Sequence, residues 1–181
     1  MKTSARHVLA GAAAAMAFSA IPATAATVDW FLKLDKIQGE STDERHKGEI
    51  EVMSWSWGVS QATSAGPGGG PRAAKPCVAD FAFTKLIDKS TPQLIGNAAT
   101  GLHITNGILI GRKAGKEQQE FLKIELKDIL VSSFQTGGSG ASVPAETVSL
   151  SFASVTIEYK TQNPDGSLGN AVTTTVTGGG C

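Results

Sequence analysis

The stretch His46–Gln61 reads HKGEIEVMSWSWGVSQ, and its alternation decides the fold. Side chains on a strand point alternately to opposite faces. Glu49, Glu51, Met53, Trp55, Trp57 and Val59 therefore share one face, while Ile50, Val52, Ser54, Ser56 and Ser60 share the other. The apolar side changes midway, from Ile50 and Val52 to Met53, Trp55, Trp57 and Val59. Such a strand must bend or bulge near Val52 and hand each half to a different environment. That behaviour belongs to a closed or nearly closed barrel.

Working outward, period two continues through most of the chain. Val28, Trp30, Leu32 and Leu34 alternate with Asp29, Lys33 and Asp35; Ile104, Ile108 and Ile110 with Thr105 and Gly107; Leu122, Ile124 and Leu126 with Lys123, Glu125 and Lys127. These read as half-buried antiparallel strands. Val148–Lys160 repeats the change of side, with Val148, Leu150 and Phe152 facing one way and Val155, Ile157 and Tyr159 the other. Two long strands that change sides imply a mainly β fold built on a strongly coiled, antiparallel β-barrel.

One short helix interrupts the pattern. Thr91 is the expected N-cap, Pro92 the first helical residue and Gly101 the stop, with Leu94, Ile95, Ala98 and Leu102 at helical spacing. Gly96 and Asn97 weaken it, so it should persist only by packing against the barrel. Ala62–Lys75 reads as a long Gly/Pro-rich loop, and Gln135–Ala145 and Asn163–Asn170 as turns.

The first 25 residues carry Lys2 and Arg6, then an uncharged apolar run from Val8 to Ile21, then the small residues Ala23, Thr24 and Ala25. That is the layout of a secretory signal peptide cut before Ala26; the alternative is a start at Met16. The run is too short to span a bilayer, which takes about 20 apolar residues, so no stable membrane insertion is expected. Removing these residues leaves 14 of the 16 basic side chains against all 16 acidic ones, and one domain over 26–181 with a flexible tail at about 178–181. With no basic excess or aromatic-basic interleaving, nucleic acid is not an expected partner.

Chemistry is sparse. His46, in a charged turn, and His103, beside Leu102 and Ile104, read as ordinary surface residues, and neither has metal-ligand spacing with other donors. Cys77 has no predicted activating neighbour. No phosphate loop, dinucleotide fingerprint or nucleophile elbow is present, so no cofactor, metal or catalytic residue is assigned. The one carboxylate pair is Glu49 and Glu51, about 6–7 Å apart if they are neighbours on a strand face, a spacing near that of glycosidases. Trp55 and Trp57 on that face could stack on a sugar. The plainer reading is a solvated strand start followed by aromatic residues in a core or interface.

The quoted stretch also resembles the Hcp family, the tube proteins of type VI secretion systems. Similar segments follow in family order: VDWFLKLDKIQGES (Val28–Ser41), FTKLIDKSTPQL (Phe83–Leu94), GRKAG (Gly111–Gly115), LVSSFQTGGSG (Leu130–Gly140) and VSLSFASVTIEYKTQ (Val148–Gln162). The resemblance implies a non-enzymatic structural and transport protein: a homohexameric ring that can stack into a tube, meet other tube components and shelter small cargo or effector proteins. It places Ala62–Lys75 at the connection between rings. Residues assigned to assembly surfaces are Glu49, Glu51, Trp55, Trp57, Gln61, Arg72 and Lys75. The export signal departs from the family, whose subunits are ejected by the machine itself, and points to a protein exported to the periplasm or medium. There Cys77 and Cys181 have three fates: an intersubunit bond, an intrachain bond, or two unpaired thiols. The competing reading is an exported carbohydrate-binding or carbohydrate-cleaving β-protein using Trp55, Trp57, Glu49 and Glu51.

Overall fold

A computed structural model describes residues 27–65, 71–113, 118–163 and 165–178. The signal-peptide reading therefore lies outside the described residues. Ten strands and one helix follow in order: β1 (Val28–Leu34), β2 (Ile50–Glu51), β3 (Ser54–Ser56), β4 (Val59–Ala65), β5 (Pro71–Val78), β6 (Phe81–Leu86), α1 (Ser90–Thr100), β7 (Ile104–Lys113), β8 (Gln119–Ser139), β9 (Ser142–Gln162) and β10 (Leu168–Thr177). The main sheet runs β2-β1-β7-β8-β9-β6-β3, with β10 also paired to β9, and β4 and β5 form a separate two-stranded sheet. All pairings are antiparallel. The main sheet curls strongly into a half-barrel with one helix against it, as the alternation predicts.

The deciding stretch is three strands rather than one. β2 pairs with β1, β3 with β6 and β4 with β5, so the change of side near Val52 is a change of partner. β2 and β3 lie at opposite ends of the sheet path yet are separated in sequence only by Val52 and Met53. The Val52 amide donates to the Trp30 carbonyl at 2.9 Å and the next amide, of Met53, to the Thr84 carbonyl at 2.8 Å. Consecutive N–H groups thus point toward the two ends of the sheet, and this short segment is the seam that closes the curl.

The core is filled from inward positions: Leu32 and Leu34 of β1, Ile50, Phe81 and Phe83 of β6, Ile124 and Leu126 of β8, and Val148, Leu150, Phe152 and Val155 of β9. β9 changes side between Phe152 and Val155, as its sequence implies, at the point where its outer partner changes from β6 to β10. In β7 the buried positions are Ile104, Gly107, Leu109, Gly111 and Arg112. Ile108 and Ile110, expected inside, are only half-buried. Glycine is required at position 111 because a Cβ there would run into the Trp30 ring.

Other boundaries move for local reasons. The helix begins at Ser90 with Lys89 at the N-cap, not at Thr91. Thr91 is buried instead, its hydroxyl donating to Glu146 at 2.8 Å. Of the residues at helical spacing, Leu94 is buried and Ala98 packs on the core, but Ile95 and Leu102 are exposed. Gly101 does end the helix, at φ 67°. The Gly/Pro-rich stretch becomes strand on both sides, with β4 and β5 covering most of it. Most of Gln135–Ala145 likewise belongs to β8 and β9, leaving Gly140 and Ala141 between them. β10 is a full strand, in keeping with the β-branched residues of its AVTTTVT run.

Candidate functional site

The two tryptophans do not form an open platform. Trp55 meets Trp30 edge-on at 5.3 Å between ring centroids and stacks on Phe81 at 5.8 Å, while Trp57 lies 6.3 Å from Phe152. Both are half-buried and pack on the core. Met53 and Val59, which share the tryptophans' face in the alternation, are both exposed. Glu49 is paired with a histidine, its Oε2 lying 2.9 Å from His46 Nδ1. Glu51 is exposed on β2, and with Met53 it lines two adjoining surface clefts of about 430 and 470 Å³. One cleft continues over Asp29, Trp30 and Arg112, the other over Glu40, Leu86 and Ile87.

His46 corrects the reading of a surface histidine. It is buried, stacked on Phe31 at 4.3 Å and 8°, between Glu49 and the more distant Glu120 Oε1 at 3.6 Å. The loop from Asp35 to Glu49 folds back to place it there, because Gly39 passes so close to the Glu49 carbonyl that no side chain fits. His103 is exposed, with Nδ1 2.5 Å from Asp128 Oδ1.

Arg112 is a second buried feature of this face, which the motif GRKAG does not single out. Its guanidinium donates to Asp43 Oδ1 at 2.9 Å and Oδ2 at 2.7 Å and reaches Asp29 at 3.3 Å, and it lies 4.8 Å from the centre of the Phe31 ring. The bidentate bonds from Arg112 hold the Asp43 carboxyl down at about 2, with backbone amides of Arg45 and His46 adding to the effect. Asp43 in turn raises the Arg112 pKa. The cluster ties the Asp35–Glu49 loop to β1 and β7. It is a positioning device for the surface, with its charges already paired.

The two-stranded sheet carries the remaining predicted residues. Gln61 is exposed on β4, Lys75 is exposed on β5, and Arg72 lies on β5 opposite Ser64. Cys77 is half-buried on β5 opposite Ser60 and is not a free thiol; Cys181 lies outside the described residues. The structure thus splits the predicted assembly residues into two groups, Glu49, Glu51, Trp55 and Trp57 around the seam, and Gln61, Arg72 and Lys75 on the hairpin. Among the described residues no group of three or more His, Cys, Asp or Glu side chains converges to hold a metal. Among the described residues no helix is long and apolar enough to cross a membrane.

A curled sheet sealed by its own chain, with a two-stranded ribbon that no other strand joins among the described residues, defines a structural β-subunit. Comparison with known proteins makes the class specific. Residues 31–159 match the family model described as type VI secretion system effector, Hcp. The chain is 49% identical over 141 residues to protein hcp1 of Pseudomonas aeruginosa, covering 77% of this chain and 87% of that protein. Among solved structures it is similar to Hcp1 from Salmonella typhimurium, at 36% identity and a TM-score of 0.67 over 83% of this chain and 94% of that one. It is also similar to a type VI secretion system effector from Yersinia pestis, at 30% identity and a TM-score of 0.67 over 82% and 99%. The chain belongs to the Hcp family. Nothing in these comparisons supports the carbohydrate reading, and the inward packing of Trp55 and Trp57 gives it no platform.

Proposed function

We propose that this protein is the repeating subunit of a homohexameric ring, with rings stacking into a tube of the type VI secretion kind that can carry small cargo proteins. The observation that carries the reading, beside family membership, is the β4–β5 hairpin. It stands outside the main sheet, and a lone two-stranded hairpin is marginally stable in water. A neighbouring subunit supplies the surface it lacks. Such a contact is heterologous, one surface docking a different surface of the next copy until the rotation closes. Gln61, Arg72 and Lys75 belong to that contact, and Glu51 with Met53 to the opposing surface. Light scattering at micromolar concentration should give close to six times the subunit mass; a stable monomer overturns the reading.

Export follows from the basic, apolar and small-residue order of Met1–Ala25, and the mature protein is expected to begin at Ala26. In that oxidising setting Cys181, the second of two cysteines, is the natural partner of Cys77 within the same chain. The bond would contribute about 2–4 kcal/mol by closing a long loop. On a non-reducing gel the monomer band should run faster than the reduced one. A ladder that collapses with reductant would instead establish an intersubunit link.

A further inference from the structure

We propose that a cleft beside the helix N-terminus is a docking site for a carboxylate-rich segment of a partner protein. The cleft, of about 850 Å³, lies between the end of β1, the following loop and the start of α1. Lys33, Lys36, Arg45, Lys47 and Lys89 line it, against only Asp35 and Glu49 among acidic residues. Both carboxylates are already engaged, Asp35 by the Asn106 amide at 3.1 Å and Glu49 by His46 at 2.9 Å.

The lysines of the cleft differ from most of those elsewhere, although among the described residues Lys75 on β5 likewise has no ion pair. Lys85, Lys123, Lys127 and Lys160 each have a carboxylate within 4 Å, and Lys113 bonds Gln162. Lys33, Lys36, Lys47 and Lys89 are exposed and have no ion pair or hydrogen bond among the described residues. Arg45 spends one guanidinium N–H on the Gln118 carbonyl at 3.5 Å and keeps the rest. The start of α1 adds little to this field, because the Asp88 carboxylate already accepts from the Ser90 amide at 2.9 Å. Unpaired cations converging on one concavity raise the local concentration of an anionic partner and speed its capture.

The partner's chemistry follows from the spread of the charges. They line a cleft too wide for one phosphate or carboxylate to satisfy, so the ligand must present several anionic groups along a chain. Asp35 and Glu49 lie inside the cleft and would oppose a continuous phosphodiester backbone. No aromatic side chain lines it for base stacking. A segment with spaced Asp or Glu can place carboxylates on the lysines and pass neutral residues over the two acids. This inference goes beyond ring assembly and does not depend on it.

The test is fluorescence anisotropy with a labelled oligoglutamate peptide on the full mature protein at low and high salt. Wild type should bind at low salt and release as salt screens the pairs. The triple variant Lys33→Glu, Lys47→Glu, Lys89→Glu should bind at least about tenfold more weakly, since each exposed pair contributes up to about 1 kcal/mol. The neutral set Lys33→Gln, Lys47→Gln, Lys89→Gln should fall in between. Lys127→Glu, exposed on β8 outside the cleft, should bind as wild type. Absence of wild-type binding, or equal loss in Lys127→Glu, overturns the proposal. An oligothymidylate of equal charge that binds as tightly through the same lysines overturns the protein assignment. Light scattering on each variant separates this outcome from assembly: loss of the ring with peptide binding retained tells against the ring alone.

Discussion

Arg112 shows how a single charge can be held almost out of water without being exposed to its full desolvation cost. Its side chain is 3% exposed, and two carboxylates and the Phe31 face replace the lost hydration. Asp43 supplies most of the compensation, through two bonds of 2.9 and 2.7 Å against the single longer contact to Asp29 at 3.3 Å. Asp43→Asn keeps the shape and removes the charge, and should cost about 3 kcal/mol. The pH dependence has a definite sign. The carboxyl sits at about 2 in the folded protein, below its ordinary value of 3.8, so the unfolded chain takes up a proton first as pH falls. Its stabilisation is complete above the unfolded value and disappears as pH drops through the folded one. Urea unfolding at pH 5, 3 and 2, read against Asp43→Asn, should show wild type losing its advantage within that window. Equal slopes for the two proteins would mean that Arg112 does not hold Asp43 ionised.

At the scale of elements, Lys85 plays the same part for the helix. Lys85 and Glu146 are both wholly buried, 2.6 Å apart, and the ammonium also reaches Asp88 at 2.7 Å and Thr91 at 3.0 Å. One charged group on β6 thereby joins β9 to the first turn of α1, a helix of 11 residues too short to persist alone. Lys85→Met leaves Glu146 buried without its cation and should cost about 3–5 kcal/mol, whereas adding Glu146→Leu should recover much of that loss. Amide exchange over Ser90–Thr100 should speed up in the single variant before the sheet is affected; unchanged helix protection would show that Leu94 and Ala98 suffice. Sequence reading reached the helix and its stop at Gly101, because those signals are local. It placed the cap at Thr91 because Ser/Thr before Pro is a standard helix start. The residue that takes the Thr91 hydroxyl, Glu146, is 55 positions away. Distant pairing also hid Asp43 and Arg112, and it turned His46 from a surface residue into a buried one. Alternation was legible in β1, β8 and β9, including the change of side in β9. It misled at Ile108 and Ile110, where the buried phase of β7 shifts between Ile104 and Gly107.

For the whole molecule, the informative property is that the sheet is closed by connectivity rather than by a complete ladder. Ile50–Ser56 crosses from one end of the sheet to the other, and the change of side within that segment was readable in the sequence because each half had to satisfy a different neighbour. What alternation could not reveal was that the next residues leave the sheet altogether. The Gly/Pro content of Ala62–Lys75 reads as loop, yet β4 and β5 pair from Val59 opposite Val78 to Ala65 opposite Pro71. Pro71 and Pro76 donate no amide hydrogen, which suits strands with open outer edges and discourages indiscriminate strand addition. If the ribbon is the arm that a neighbouring subunit covers, it contributes to assembly and little to the fold of its own chain. Replacing residues 61–76 by Asn-Gly retains the Val59–Val78 and Ser60–Cys77 pairs and closes them with a two-residue hairpin turn. The shortened protein should keep the wild-type circular dichroism and unfold cooperatively, because among the removed residues whose burial is described, Gln61, Ala62, Thr63, Lys75 and Pro76, none is buried. In light scattering it should be a monomer, whereas the full chain is expected to give close to six times the subunit mass. A shortened protein that still forms six-subunit rings would move the decisive contact from the hairpin to the seam around Glu51 and Met53. One that fails to fold would mean that the ribbon stabilises its own subunit.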